Sequence, residues 1–123
     1  MKIMSINARG LRGWAKQLAL KWLVISIKLD VLFMQETMIG GEDVTSTLNK
    51  LMVGWEFTSL DASGFSRSMV TGCCSSCSLI NYFVVFSGVC TKVHCLEQDM
   101  TLQLVNVYGP YENREGILEC SLV

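Results

Sequence analysis

Near the N-terminus, the hydrophobic pattern changes period twice. KIMSIN alternates, with Ile3 and Ser5 on one face and Met4 and Ile6 on the other, so it predicts a strand ending on Asn7. ARGLRG, with glycines at 10 and 13, predicts a turn. Residues 14–28 then take a helical period. Leu20, Leu23, Val24 and Ile27 share a face, while Lys16, Gln17, Lys21 and Lys28 lie largely elsewhere. DVLFMQE is almost continuously apolar, as a strand covered on both faces should be. After IGGED, residues 43–52 predict a short helix capped by Asp43, with Val44, Leu48 and Leu51 inward. WEFTSL, SMVTG, LINYFVVFSGV and MTLQLVNVY each predict a strand, with DASG a turn and Pro110 a stop after the last. The order β-α-β-α-β-β-β-β implies an α+β fold, one mixed sheet with helices on one face. Because its strands are apolar on both sides, the sheet's other face needs a cover, from another chain or from a missing half.

Composition sharpens that expectation. Half of the 123 residues are hydrophobic, only 17% are charged, and the mean hydropathy is +0.38. This excludes disorder, which needs low hydrophobicity and high charge. It also leaves much apolar surface for so small a domain. The longest apolar stretch, LALKWLVISIKLDVLFM, is interrupted by Lys21, Lys28 and Asp30, so no membrane span is expected. The N-terminus lacks the layout of a signal peptide, and an intracellular protein with reduced cysteines is expected. The net charge of −1 creates no global attraction for nucleic acid. However, Lys2, Arg9, Arg12, Lys16, Lys21 and Lys28 all precede the first acid, Asp30. That segment is either a phosphate-facing surface or the solvated face of a helix.

Polar residues collect at three strand ends: Asn7 after KIMSI, Gln35 and Glu36 after VLFM, and Asn106 and Tyr108 in LVNVYGP. Strand exits can meet at one rim of a sheet, a common place for a site. A carboxylate beside an amide oxygen suits a hard cation such as Mg²⁺, which takes one or two carboxylates and binds substrate phosphates. Spacing alone leaves a second reading open, in which Asn7 caps a turn and Glu36 is solvated.

SINARGL, MQETM and NVYGP, in this order and inside matching strands, resemble the first three motifs of the endonuclease/exonuclease/phosphatase (DNase I-like) superfamily. The form N-x-R-G-L and the run NVYGPYENRE resemble the endonuclease domain that opens plant LINE-type retrotransposon polyproteins. The resemblance covers residues 1–116 and leaves 117–123 as a divergent tail. It implies half of a four-layer α/β-sandwich and a divalent-metal-dependent DNA endonuclease, with Mg²⁺ or Mn²⁺ as cofactor and a nuclear location. It makes Glu36 a metal ligand, Asn7 a residue beside both metal and scissile phosphate, and Tyr108 a donor to the phosphate. The family's later G-D-x-N and S-D-H motifs, which supply the water-positioning Asp and the base, do not occur in these 123 residues. Arg67 and Ser68 stand where the plant relatives carry paired glycines. The resemblance therefore implies a truncated, inactive first half, with DNA and a missing C-terminal half as partners. Such a half would supply one sheet and expose its inner face. His94, the only histidine, comes too early in the chain to be the family's base and is expected to be structural or exposed.

The cysteines support a rival reading, a non-catalytic interaction or structural zinc-binding module. Cys73, Cys74 and Cys77 lie in GCCSSCS, and Cys90, His94 and Cys95 follow. Cys74-x-x-Cys77 with Cys90 and His94 or Cys95 has the spacing of a zinc site. Against it, LINYFVVFSGV taken as one strand carries the two pairs to opposite ends. Trp14, Trp22 and Trp55 are expected in the core.

Overall fold

A computed structural model describes residues 1–39, 41–61, 68–85 and 88–107. The elements run β1 (Ile3–Asn7), α1 (Trp14–Ser26), β2 (Val31–Gln35), α2 (Gly41–Leu51), β3 (Glu56–Asp61), β4 (Ser68–Cys73), β5 (Cys77–Val85), β6 (Gly88–Cys95) and β7 (Met100–Val107). The class is α+β with a mixed sheet, as the pattern implies. The expected single sheet, however, is two: a four-stranded sheet in the order β1-β2-β4-β3 and a three-stranded sheet in the order β5-β6-β7. LINYFVVFSGV is not one strand, because Val85 and Gly88 are cross-strand partners and β6 returns antiparallel to β5. Only one glycine marks that reversal in the sequence, so the β-rich run looks continuous.

Three layers result, and alternation along the strands builds both interfaces. Met4 and Ile6 of β1, Leu32 and Met34 of β2 and Val70 of β4 face the helices. There they pack with Leu20 and Val24 of α1 and with Val44, Leu48 and Leu51 of α2. The opposite residues, Ile3, Val31, Phe33 and Cys73, pack on Cys77, Val93, Cys95 and Leu104 of the three-stranded sheet. Every residue of β2 is buried, because β2 lies between both layers. The face expected to await a missing half is thus covered by the chain's own β5, β6 and β7. The chain contributes to both sheets of a sandwich, not to one alone.

α1 starts at Gly13 without a side-chain cap. It ends in the αL manner, with Lys28 at φ 53° and the Leu29 amide donating to the Val24 carbonyl at 3.1 Å. The Lys2 ammonium adds a hydrogen bond to the Ile27 carbonyl at 3.0 Å. α2 begins two residues before the expected cap, so Asp43 lies inside its first turn, where with Glu42 it complements the helix dipole. Trp55 stacks on Phe57 at the core's edge, ring centroids 5.9 Å apart. Trp14 and Trp22 are not core residues: they stand 69% and 60% exposed on α1. A Cβ at Gly72 would lie 2.4 Å from the Phe57 ring, so only glycine fits opposite that aromatic on β3.

Candidate functional site

β1 and β2 run parallel, so both chains leave the sheet at one rim, with Asn7 and Gln35 paired in register. Beyond that pair the two exits stay zipped together. The amides of Ala8, Gly10 and Leu11 donate to the carbonyls of Gln35, Glu36 and Thr37, each at 2.8 Å. Arg9, Gly10, Glu36 and Met38 all take positive φ, from 49° to 93°. Left-handed backbone at three non-glycine residues in two adjacent turns costs free energy, and such strain clusters at functional sites.

This geometry brings Asn7 and Glu36 together. The Asn7 amide nitrogen donates to a Glu36 carboxylate oxygen. The Asn7 amide oxygen accepts from the Arg9 backbone N–H at 3.1 Å, which fixes the orientation of the amide group. Glu36 is half-buried, and Arg9 and Arg12 are exposed around it. Arg12 is anchored through its Nε to the Met38 carbonyl at 3.2 Å, and Lys16 reaches the Arg9 carbonyl at 3.3 Å. Part of the basic N-terminal segment therefore gathers at this rim, while Lys2 and Lys28 serve the other end of α1. An apolar hollow of about 150 Å³ opens beside Asn7 between β1 and α1, lined by Ile6, Leu11, Lys16, Leu20 and Leu23.

Beneath the rim lies a buried polar chain that joins the two sheets. Gln35 Nε2 donates to Ser5 Oγ at 3.0 Å and to Asn106 Oδ1 at 2.7 Å. Asn106 Nδ2 in turn donates to the Val70 carbonyl at 3.2 Å and approaches Thr71 Oγ1 at 3.4 Å. Gln35 and Asn106 are almost fully buried, so these bonds are obligatory and hold β7 against the rim. The polar strand ends identified in the sequence thus divide into two layers: Asn7 and Glu36 outside, Gln35 and Asn106 as their support. Tyr108 lies outside the described residues, and so do Arg67 and the DASG turn after Asp61.

His94 is remote from this rim. It lies within β6, with its imidazole bonded to Thr101 Oγ1 at 3.0 Å and its Nε2 3.5 Å from Asp99. Val89 pairs with Asn106 and His94 with Thr101, which puts His94 about 17 Å down the ladder. The zinc set expected from spacing is not assembled either. Cys90 pairs with Phe83, five residues up β6 from Cys95, and its sulfur accepts from Gln103 at 3.1 Å. Sequence reasoning missed Asp30, which lies beside Cys74 and Cys77 at the opposite end of β2. No spacing rule signals it, because β2 and β4 bring it there through the fold.

No protein-family model matches the chain, and no curated protein does. Solved structures do. The AP endonuclease LMAP from Leishmania major matches with a TM-score of 0.61 and 20% identity, over 86% of this chain and 39% of that one. The Xenopus laevis APE2 catalytic domain matches with a TM-score of 0.61 and 22% identity, over 94% of this chain and 48% of that one. The human Nocturnin catalytic domain with bound sulfate anion matches at 0.58 and 13% identity, over 82% and 46% respectively. The fold is therefore a partial DNase I-like sandwich, and the chain spans less than half the length of these structures.

Proposed function

We propose that this chain is the first half of a divalent-metal-dependent DNA phosphodiester hydrolase of LINE-type retrotransposon origin. The observation that carries the reading is the Asn7–Glu36 pair, bonded together on two strained turns at the parallel-strand rim of a DNase I-like sandwich. Its donor set fits a hard dication: a half-buried carboxylate, held in place by an amide whose oxygen keeps one lone pair free. Glu36 would hold the ion, with Asn7 beside it. When bound, the ion supplies Lewis acidity at the phosphoryl oxygen.

The chain's own residues supply the rest. Asn7 orients the Glu36 carboxylate and presents its amide to the phosphate. Arg9, Arg12 and Lys16 draw the nucleic-acid backbone to the rim by charge. Tyr108 donates its hydroxyl where negative charge builds. Residues 1–116 form the nuclease-like domain and 117–123 the divergent tail. The water-positioning Asp and the base come from a C-terminal half, and the protein works in the nucleus on DNA.

The 123-residue chain alone is therefore expected to be inactive. Incubation with supercoiled plasmid and Mg²⁺ or Mn²⁺ should leave the plasmid intact. Nicking by the wild type that disappears in Glu36→Ala would overturn the inactivity and leave the site assignment standing. Nicking unchanged by that substitution would count against the site.

A further inference from the structure

A second constellation lies at the other end of β2, about 20 Å from Glu36 along six residues of extended chain. Asp30 immediately precedes β2, Cys74 follows β4 and Cys77 opens β5. Each directs a donor atom to within 4.8 Å of the other two. From the Asp30 carboxylate, the contact to Cys74 Sγ is 3.6 Å.

The backbone holds this arrangement before any ligand arrives. The Cys74 amide donates to the Asp30 carbonyl at 2.9 Å, tying β4's end to β2's start. The Cys77 amide donates to the Cys74 carbonyl at 3.0 Å, closing the Cys-Ser-Ser-Cys turn. The Lys2 amide fixes Asp30 Oδ2 at 2.7 Å, which leaves Oδ1 turned toward the sulfur. Two thiols and an oriented carboxylate are an N/O/S donor set of the zinc class, and oxygen-loving Mg²⁺ would not choose it. Donors on a tetrahedral zinc stand about 3.5–3.8 Å apart, so the three need close only slightly.

We propose that Asp30, Cys74 and Cys77 form a binding site for a thiophilic divalent ion of the zinc class, with the fourth place taken by solvent. Asp30 and Cys74 are half-buried and admit that water, whereas Cys77 is buried. This set differs from the one the cysteine spacing suggests, since neither Cys90 nor His94 belongs to it. It is independent of the phosphodiester reading.

A redox role for the Cys-x-x-Cys turn fits less well. Reactive dithiols carry a lowered thiol pKa. Here burial, and then the neighbouring thiols of Cys74, Cys95 and Cys73, push Cys77 up to about 12. As each sulfur bonds the ion its thiol proton passes to buffer, so about two protons leave per ion and uptake strengthens as pH rises.

The test is a Co²⁺ titration of the full 123-residue chain, kept reduced and first stripped of metal. One equivalent should develop thiolate-to-cobalt charge transfer with intense tetrahedral d–d bands, and one equivalent of Zn²⁺ should bleach them. Cys74→Ser, at a half-buried position, should abolish the bands while circular dichroism stays unchanged. Asp30→Asn should weaken uptake about tenfold or more. Cys90→Ser should leave the titration as it is. A wild-type chain without thiolate charge transfer, or a folded Cys74→Ser chain with the full bands, would overturn the proposal.

Discussion

Asn7 and Glu36 show how residue chemistry and backbone shape depend on each other. Glu36 at φ 54° and Arg9 at φ 49° sit where few side-chain-bearing residues rest, and that backbone turns the Asn7 amide onto the Glu36 carboxylate. The support beneath is as specific. Asn106 is fully buried and reaches Gln35, Val70 and Thr71, so its removal takes one partner from the buried Gln35 amide and one from the Val70 carbonyl. Asn106→Ala should cost about 2–4 kcal/mol in chemical denaturation. In a double-mutant cycle it should couple to Gln35→Ala by about 1 kcal/mol or more. Purely additive losses would show that the chain of bonds does not act as a unit. Asn7, Glu36, Gln35 and Asn106 were all legible in the sequence, because polar residues interrupt otherwise apolar strand ends. Their division into an outer pair and a buried support was not. It depends on which face of β7 meets β2, and alternation within one strand carries no such information.

At the scale of elements, the pattern placed most core residues on the right face and misjudged three boundaries, the start of α2, the end of α1 and the reversal between β5 and β6. The helical stripe and the alternation of β1 place Leu20, Val24, Ile27, Met4 and Ile6 on the helix-side core, where the structure has them, whereas Leu23, expected on the same face, is exposed. The end of α1 was not legible, because the residue in the left-handed closing position is Lys28 and not the usual glycine. Lys28→Gly should therefore stabilise the protein by about 1 kcal/mol, measured as a raised denaturation midpoint. A loss of stability would mean that the lysine side chain contributes more than its backbone strain costs. The reversal between β5 and β6 escaped for a related reason. β-branched and aromatic residues continue up to it, and a lone glycine is a weak sign of a turn. That one missed hairpin carried two consequences. It hid the second sheet, and it made Cys77 and Cys95 look distant when they are cross-strand partners.

For the whole molecule, the second sheet changes what the apolar composition means. The surplus was expected to mark an uncovered sheet face, whereas the structure spends it on two interfaces, one under the helices and one between the sheets. Exposed apolar groups remain on α1, at Trp14, Trp22 and Ile25, and on β5, at Ile80, Tyr82 and Phe83. Among the described residues no helix is long and apolar enough to cross a membrane. The two constellations occupy opposite ends of β2, an amide and a carboxylate at one rim and two thiols with a carboxylate at the other. The central claim, that Asn7 and Glu36 form half of a hard-metal phosphate site, is tested most directly by Mn²⁺-induced broadening of backbone amide resonances. Substoichiometric Mn²⁺ should broaden the amides around Asn7 and Glu36 first, and Glu36→Gln should abolish that selectivity. Broadening that spares this rim, or that persists unchanged in Glu36→Gln, would contradict the account.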